Sequence, residues 1–462
     1  MSGRFRAALG RWPLVASLVC AACSSPARPT ALGPSSTHDP SVVRFYSDRV
    51  NSWREFRLGG GLNVVVANAS LPREAAWRFG AGRDGISSSP VVYRDLVLVA
   101  ANDRNLYAID AATGALRWKY LATNQLMAQP VYTGGVAVVA AGNQECVVCI
   151  PPDYVVGGTG SNRLAGVDLT TGRERWGQEL AGTGMPIPAI VGTNVVHVDG
   201  SGTVLALDAL TGRYAWNARL PSVFSMSSVV DGHDGRVYVS GTFPTGVYAL
   251  RANDGTLVWR HLFPKFYQGP GDGPMASTPT LLIGEYLKPL APGTLGWTVE
   301  PGSRVEHHIF ALAKATGKLR WDRRVAGGIA PTANQSAIPL VYRQRVYEGS
   351  PIAPVVSALD VTTGRVVWQL RTGGVVRGGI VALDGVLYFG DIAGYLWAVD
   401  AANGRVVGRL RTDLKFYVGS PIILNDSLLD GSREGTVVAL PLRSIRSAHD
   451  PLPSPNPPPP GV

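Results

Sequence analysis

Cys146-Val147-Val148-Cys149 is the segment of this sequence whose residue types and spacing suit thiol chemistry. No His follows the second cysteine, which excludes a c-type haem attachment, and no helix start is expected there to activate a redox thiol. In an exported chain such a pair is expected to close a disulfide between Cys146 and Cys149; metal or redox use is the alternative. A second constellation comes from Lys265-Phe266-Tyr267-Gln268-Gly269 and Lys415-Phe416-Tyr417-Val418-Gly419, which repeat KFYxG. Together with Arg83 and Arg377 they offer cations and aromatic faces to an anionic or aromatic ligand. The competing reading is inherited repeat sequence with the rings packed in the core. His307 and His308 begin a strand, so they point to opposite faces and are not expected to share a metal. His197 and Asp199 share a strand face, yet no nucleophile is placed beside them. Asp231 to Gly235 (DGHDG) has calcium-type residues but sits where a tight hairpin is required. Gly269 to Pro274 lacks the Gly-Lys-Ser/Thr ending of a phosphate loop. These residues predict no catalytic set and no metal site.

The elements that must carry these residues follow from a repeat. Ala108 to Trp118 reads AIDAATGALRW, and Gly166 to Trp176, Ala206 to Trp216 and Ala358 to Trp368 repeat it closely. Degraded copies lie at Ala249 to Trp259, Ala311 to Trp321 and Ala398 to Gly408. Apolar alternation before the Asp predicts a half-buried strand. The Asp side chain can cap backbone N–H groups of a turn, and the Gly accepts the positive φ that the turn needs. The Trp is large enough to fill a gap between two packed sheets. The shortest Trp-to-Trp spacings are 40 to 43 residues, enough for four short strands, which is a propeller-blade period. One outer strand around Ala75 to Phe79 has no inner strands before it, and three strands between Ser420 and Leu440 have no outer strand after them. Pairing the two fragments predicts a closed, all-β ring of eight four-stranded antiparallel blades over residues 51–442.

Two spacings, 118 to 176 and 259 to 321, exceed the period. The extra residues are expected as loops between the second and third strands of blades 2 and 5. They carry Val147, Val148 and Tyr154 in one case and Leu287, Leu290, Leu295 and Trp297 in the other. Apolar residues on long loops suit a docking surface for a partner; packing on one another to cap the rim is the equal alternative.

The amino terminus has basic residues before an apolar run from Trp12 to Ala22, the pattern of an export signal over residues 1–22 and too short to span a bilayer. Residues 23–50, rich in Pro, Ser, Ala and Thr, are expected as a flexible tether, and residues 443–462, ending PLPSPNPPPPGV, as a disordered tail. The formal charge is +10, but Arg4, Arg6 and Arg11 lie in the export signal, and the other Lys and Arg form no dense run. That pattern predicts a solvated surface and no nucleic-acid site.

The A-x-D-x-x-T-G-x-x-x-W repeat resembles that of the pyrroloquinoline-quinone (PQQ)-type eight-bladed propellers, and Trp53 to Arg57 resembles the segment that leads into them. Ala21, Ala22 and Cys23 resemble a bacterial lipobox, with Cys20 where Leu, Val or Ile is usual; lipidation at Cys23 and plain secretory cleavage are the two outcomes. A lipobox joined to a single propeller is most similar, within the family, to the BamB group of the outer-membrane barrel assembly machine. That resemblance implies a non-catalytic envelope scaffold on the periplasmic face of the outer membrane, monomeric within a complex and presenting loops to an assembly partner. The family also implies an alternative: a PQQ-dependent oxidoreductase with calcium, or a small-ligand sensor, using the central funnel. Family quinoproteins carry an adjacent Cys-Cys pair and an acidic calcium site, neither of which maps onto this sequence, so no cofactor is expected.

Overall fold

The computed structural model describes residues 44–46, 52–54, 61–82, 84–142, 146–148, 155–156, 161–264, 273–291, 302–331 and 337–452, the backbone alone for 44–46, 52–53, 146–148 and 155–156. Blade 1 shows the module: Val91–Tyr93, Leu96–Ala100, Asn105–Asp110 and Leu116–Leu121 pair antiparallel in chain order, from the ring axis outwards. Eight such blades form the ring. It is closed as the sequence predicts: Ile422–Leu424, Ser427–Gly431 and Thr436–Pro441 receive Trp77–Gly80 as their fourth strand, with Ala439 opposite Trp77 and Thr436 opposite Gly80. No blade therefore has to end in an unclosed seam.

The repeat motif locks neighbouring blades together. Asp110 Oδ1 accepts from the backbone N–H of Thr113 at 2.8 Å and of Ala112 at 3.1 Å, and Gly114 adopts φ +74° to complete the turn. A Cβ on Gly114 would lie 2.8 Å from the Trp77 indole, so the glycine also makes room for the Trp of the preceding blade. The Trp77 Nε1–H donates to the carbonyl of Ala111 in the same turn at 3.0 Å. The same bond runs from Trp176 to Ala209, Trp216 to Ala252, Trp259 to Lys314, Trp321 to Val361 and Trp368 to Ala401. Trp118 packs on Gly172 in the equivalent way. Each indole thus fills an inter-blade gap, and all but Trp118, whose Nε1–H has no partner among the described residues, also satisfy their own donor.

Blade 7 lacks the Trp, and the structure gives the reason. Leu442–Ser447 form a short helix, and a Cβ on Gly408 would lie 2.2 Å from the carbonyl oxygen of Ile445. The helix occupies the slot that an indole fills elsewhere, burying Leu442 and Ile445. Beyond it, Arg411 donates its backbone N–H to Asp450 at 2.7 Å, and the Tyr395 hydroxyl donates to the Pro451 carbonyl at 2.8 Å. The expected disordered tail is corrected accordingly: residues 443–452 are docked on the ring, and 453–462 lie outside the described residues.

The amino-terminal side also departs from the expected tether. Arg44–Tyr46 pairs in parallel with Val65–Ala67, which itself pairs in parallel with the innermost strand of blade 8. Ser52–Trp53 adds to the inner edge of blade 2, and the Arg54 carbonyl accepts from Ile190 of blade 3. Across the ring, the Gly61 carbonyl accepts from Val341 of blade 6 at 2.8 Å, and Asn63 makes a two-bond clasp with Ala382 of blade 7. Leu62 to Val66 are buried by these contacts. The described parts of the segment thus line the axial channel along the inner strands of blades 2, 3, 6, 7 and 8.

If the indole-to-turn contact is the lock, Trp321→Ala should cost about 3–5 kcal/mol in urea unfolding. Gly408→Trp, although it restores the repeat consensus, should also destabilise, because it expels the helix. A neutral Gly408→Trp would contradict the slot described here.

Candidate functional site

Three places could carry function: the axial well, the buried walls between blades, and the prolonged blade 5. The well is lined by the segments that lead into the inner strands, including Ser88, Met127, Gln129, Met185, Met226 and Ile338. Its enclosed volume is about 20 Å³, room for one or two waters. The side-chain amide of Gln129 and the hydroxyls of Ser227 and Ser228 are buried with no hydrogen-bond partner among the described residues. Such groups demand water or a ligand.

Two of the proposed cation and aromatic residues do meet at this end of the ring. Arg377 Nη1 donates to the Tyr417 hydroxyl at 2.9 Å, and the guanidinium carbon sits 5.2 Å from the Tyr417 ring centre. Arg433 approaches the same ring at 5.6 Å. Burial holds the Arg377 pKa below its ordinary value, while the Tyr417 interaction opposes the shift. Lys415 is exposed and Phe416 buried, as core packing of the aromatic would have it. Arg83, Lys265 and Tyr267 lie outside the described residues.

The docking candidates divide. The blade-5 insertion is not the loop expected from sequence: Leu281–Pro289, Arg304–Ala313 and Leu319–Ile329 run 9, 10 and 11 residues, so the strands themselves are prolonged. Leu287 is buried against Val305, Ala330 and Ile352 and is no docking residue, because the longer hairpin builds a small core of its own. Leu290 is 58% exposed, and Ile329 beside it 54%. In blade 2, Cys146–Val148 pairs with Val155–Val156 as a two-stranded ribbon. The side chains of Cys146, Val147 and Val148 are not described, and Cys149, Tyr154, Leu295 and Trp297 lie outside the described residues, as does Cys23.

The inter-blade walls hold what the sequence reading missed. Glu285 and His307, on facing strands of blade 5, meet Glu348 from the second strand of blade 6. All three are buried, with one ligand atom from each lying within 4.8 Å of the others. His307 Nε2 is 3.4 Å from Glu285 Oε2 and 3.8 Å from Glu348 Oε1. Burial drives the His307 pKa down to about 3, with His308 adding to the shift, and burial drives Glu348 up. Such a group can share protons or ligate a cation. His308 points the other way, as expected, and stacks on Tyr286 with its Nδ1 2.7 Å from Asp322. His197, in the wall between blades 2 and 3, has no hydrogen-bond partner among the described residues; Asp199 instead caps the turn through Ser201 and Thr203.

The family model described as "Outer membrane protein assembly factor BamB" matches residues 63–150, 145–265 and 247–447. The chain belongs to this family of PQQ-like propellers. It is 24% identical over 379 residues to the BamB of Burkholderia pseudomallei, covering 79% of this chain and 87% of that one. It is also 24% identical over 377 residues to a tetrathionate hydrolase of Acidithiobacillus ferrooxidans, covering 78% of this chain and 74% of the relative. The quinohaemoprotein alcohol dehydrogenase of Comamonas testosteroni superposes with a TM-score of 0.58 at 14% identity, covering 88% of this chain and 82% of that one, a likeness of fold.

These comparisons correct the expectation that the chain is not an enzyme. The missing cysteine pair and calcium carboxylates speak only to quinone chemistry, and the chain's relatives include tetrathionate hydrolases. The residues present do not suit PQQ itself. Among the described residues the well is lined by Ser, Met, Gln, Ile, Val and Pro, which offer no carboxylate to a calcium ion.

His197 gives a pH prediction. Burial lowers its folded pKa from 6.5 to about 4, against a smaller opposing effect of Asp199. The folded state thus refuses a proton that the unfolded chain accepts. The stability His197 contributes above pH 6.5 should be lost as the pH falls towards 4, by about 3 kcal/mol. His197→Leu should make the melting-temperature profile shallower over that window, with His307 supplying the remaining slope; a parallel profile would refute the assignment.

Proposed function

We propose that this propeller works in the bacterial envelope by binding a protein of the outer-membrane assembly apparatus through its prolonged blade 5. The observation that carries the reading is the hairpin that extends beyond the neighbouring blades and exposes Leu290 and Ile329 at its end, beside Arg304 and Arg324. Exposed apolar residues ringed by charge on a rigid β platform suit recognition, since little conformational entropy is lost on docking. The family membership and the BamB relatives support an envelope location, and the export signal with its Cys23 lipobox supports a lipid anchor on the periplasmic face of the outer membrane. Within such a complex the chain acts as a monomer.

A second reading is favoured by the tetrathionate hydrolase relatives and by the partnerless polar atoms around the well: hydrolysis of a small sulfur oxyanion at the axial mouth, where Arg377 supplies a cation. The two readings separate cleanly. Tagged full-length protein recovered from envelopes should bring down outer-membrane assembly proteins, and Leu290→Asp with Ile329→Asp should reduce that recovery about tenfold or more. Unchanged recovery would remove blade 5 from the account. Incubation of the same protein with tetrathionate should leave the substrate intact under the first reading. Steady loss of tetrathionate that Arg377→Leu abolishes would replace it with the second.

A further inference from the structure

We infer that Glu285, His307 and Glu348 bind one divalent transition-metal ion that clamps blade 5 to blade 6. Both ring nitrogens of His307 and both carboxylate oxygens of Glu348 are buried with no hydrogen-bond partner among the described residues. His307 is 0% and Glu348 1% exposed, and both converge on Glu285, itself 2% exposed. The wall around them is apolar, with Ile283, Ile309 and Val346 in its core. Leaving such groups uncompensated costs several kcal/mol. A shared proton is a poor remedy, because a proton-bridged N–H···O contact closes to about 2.9 Å with good alignment. The separations here are 3.4 and 3.8 Å and are not aligned as hydrogen bonds. Ligand atoms about 2.1 Å from a tetrahedral ion stand about 3.4 Å apart, the separation of His307 from Glu285, and the 3.8 Å to Glu348 needs only a small inward shift to join them.

The donor set selects the ion. Two carboxylates neutralise a dication, so the site carries no net charge into the apolar wall. One imidazole nitrogen with two carboxylates suits Zn²⁺, Mn²⁺ or Fe²⁺. Ca²⁺ asks for six to eight oxygens and Mg²⁺ for a largely hydrated octahedron. Three protein ligands leave one position for a water, and the burial of all three residues makes the role a structural one. The clamp would fix the prolonged hairpin on the ring, and it is independent of either functional reading.

Metal analysis of full-length protein purified without chelator should find about one equivalent of a first-row transition metal. After chelation, Co²⁺ should restore it with the visible d–d bands of a nitrogen- and oxygen-ligated tetrahedral ion, and Zn²⁺ should raise the melting temperature. Glu348→Gln and His307→Gln should weaken Co²⁺ binding about tenfold or more. The wild-type spectrum decides the matter even if a variant fails to fold. Folded wild-type protein that takes up neither ion would overturn the inference. So would a sulfur-to-cobalt charge-transfer band, which would put the metal on cysteines, or full retention of the ion by His307→Gln.

Discussion

The contact on which the rest depends is an indole laid over the turn of the next blade. It satisfies several demands with few residues. The Asp caps the turn, the Gly supplies the positive φ and the missing Cβ, and the Trp fills the wedge between twisted sheets while donating to the turn's own carbonyl. Because each lock joins a blade to its successor, a chain of such contacts must end somewhere. Here it starts with Trp77 resting on Gly114 of blade 1, stops at blade 7, where the helix Leu442–Ser447 takes the place of the indole, and the ring is closed by the pairing of Trp77 with Ala439.

What a ring of this kind leaves free is its axis, its rims and the inside of its walls. The axis is flanked by Leu62 to Val66 on the inner strands of blades 6, 7 and 8, and the described part of the well is narrow. The rim departs from the common blade form in blade 5, with its prolonged strands, and in blade 2, with the ribbon of Cys146–Val148 and Val155–Val156. The walls are apolar except where the register places a charged or titratable residue. The chain's relatives include assembly factors and hydrolases, in keeping with a scaffold whose function is set by such local departures.

The ring was legible in the sequence because each blade repeats the same turn chemistry. Gly408 looked like a degraded copy, but only the structure explains it: the helix that needs the gap comes 34 residues later and has no repeat signature. The segment at 61–68 was illegible for a related reason, since its partners are inner-strand backbone groups of blades 6, 7 and 8, which no local pattern announces. The Glu285–His307–Glu348 group escaped because its members lie far apart in sequence. A signal did exist. The strand position that holds Glu348 is Val99, Val239 and Phe389 in blades 1, 4 and 7 but His197 in blade 3 and Asp430 in blade 8, so this column is where titratable residues enter the walls. Reading the column across blades, rather than along the chain, would have exposed it.

Hydrogen–deuterium exchange on the native protein tests the closed ring most directly. If Trp77–Gly80 and Thr436–Pro441 form one sheet, their amides should exchange slowly and together, and Trp77→Ala should speed both by the same factor. Rapid exchange in Trp77–Gly80 while Thr436–Pro441 stays protected would contradict the account, because it would mean that the two ends of the folded chain are not joined.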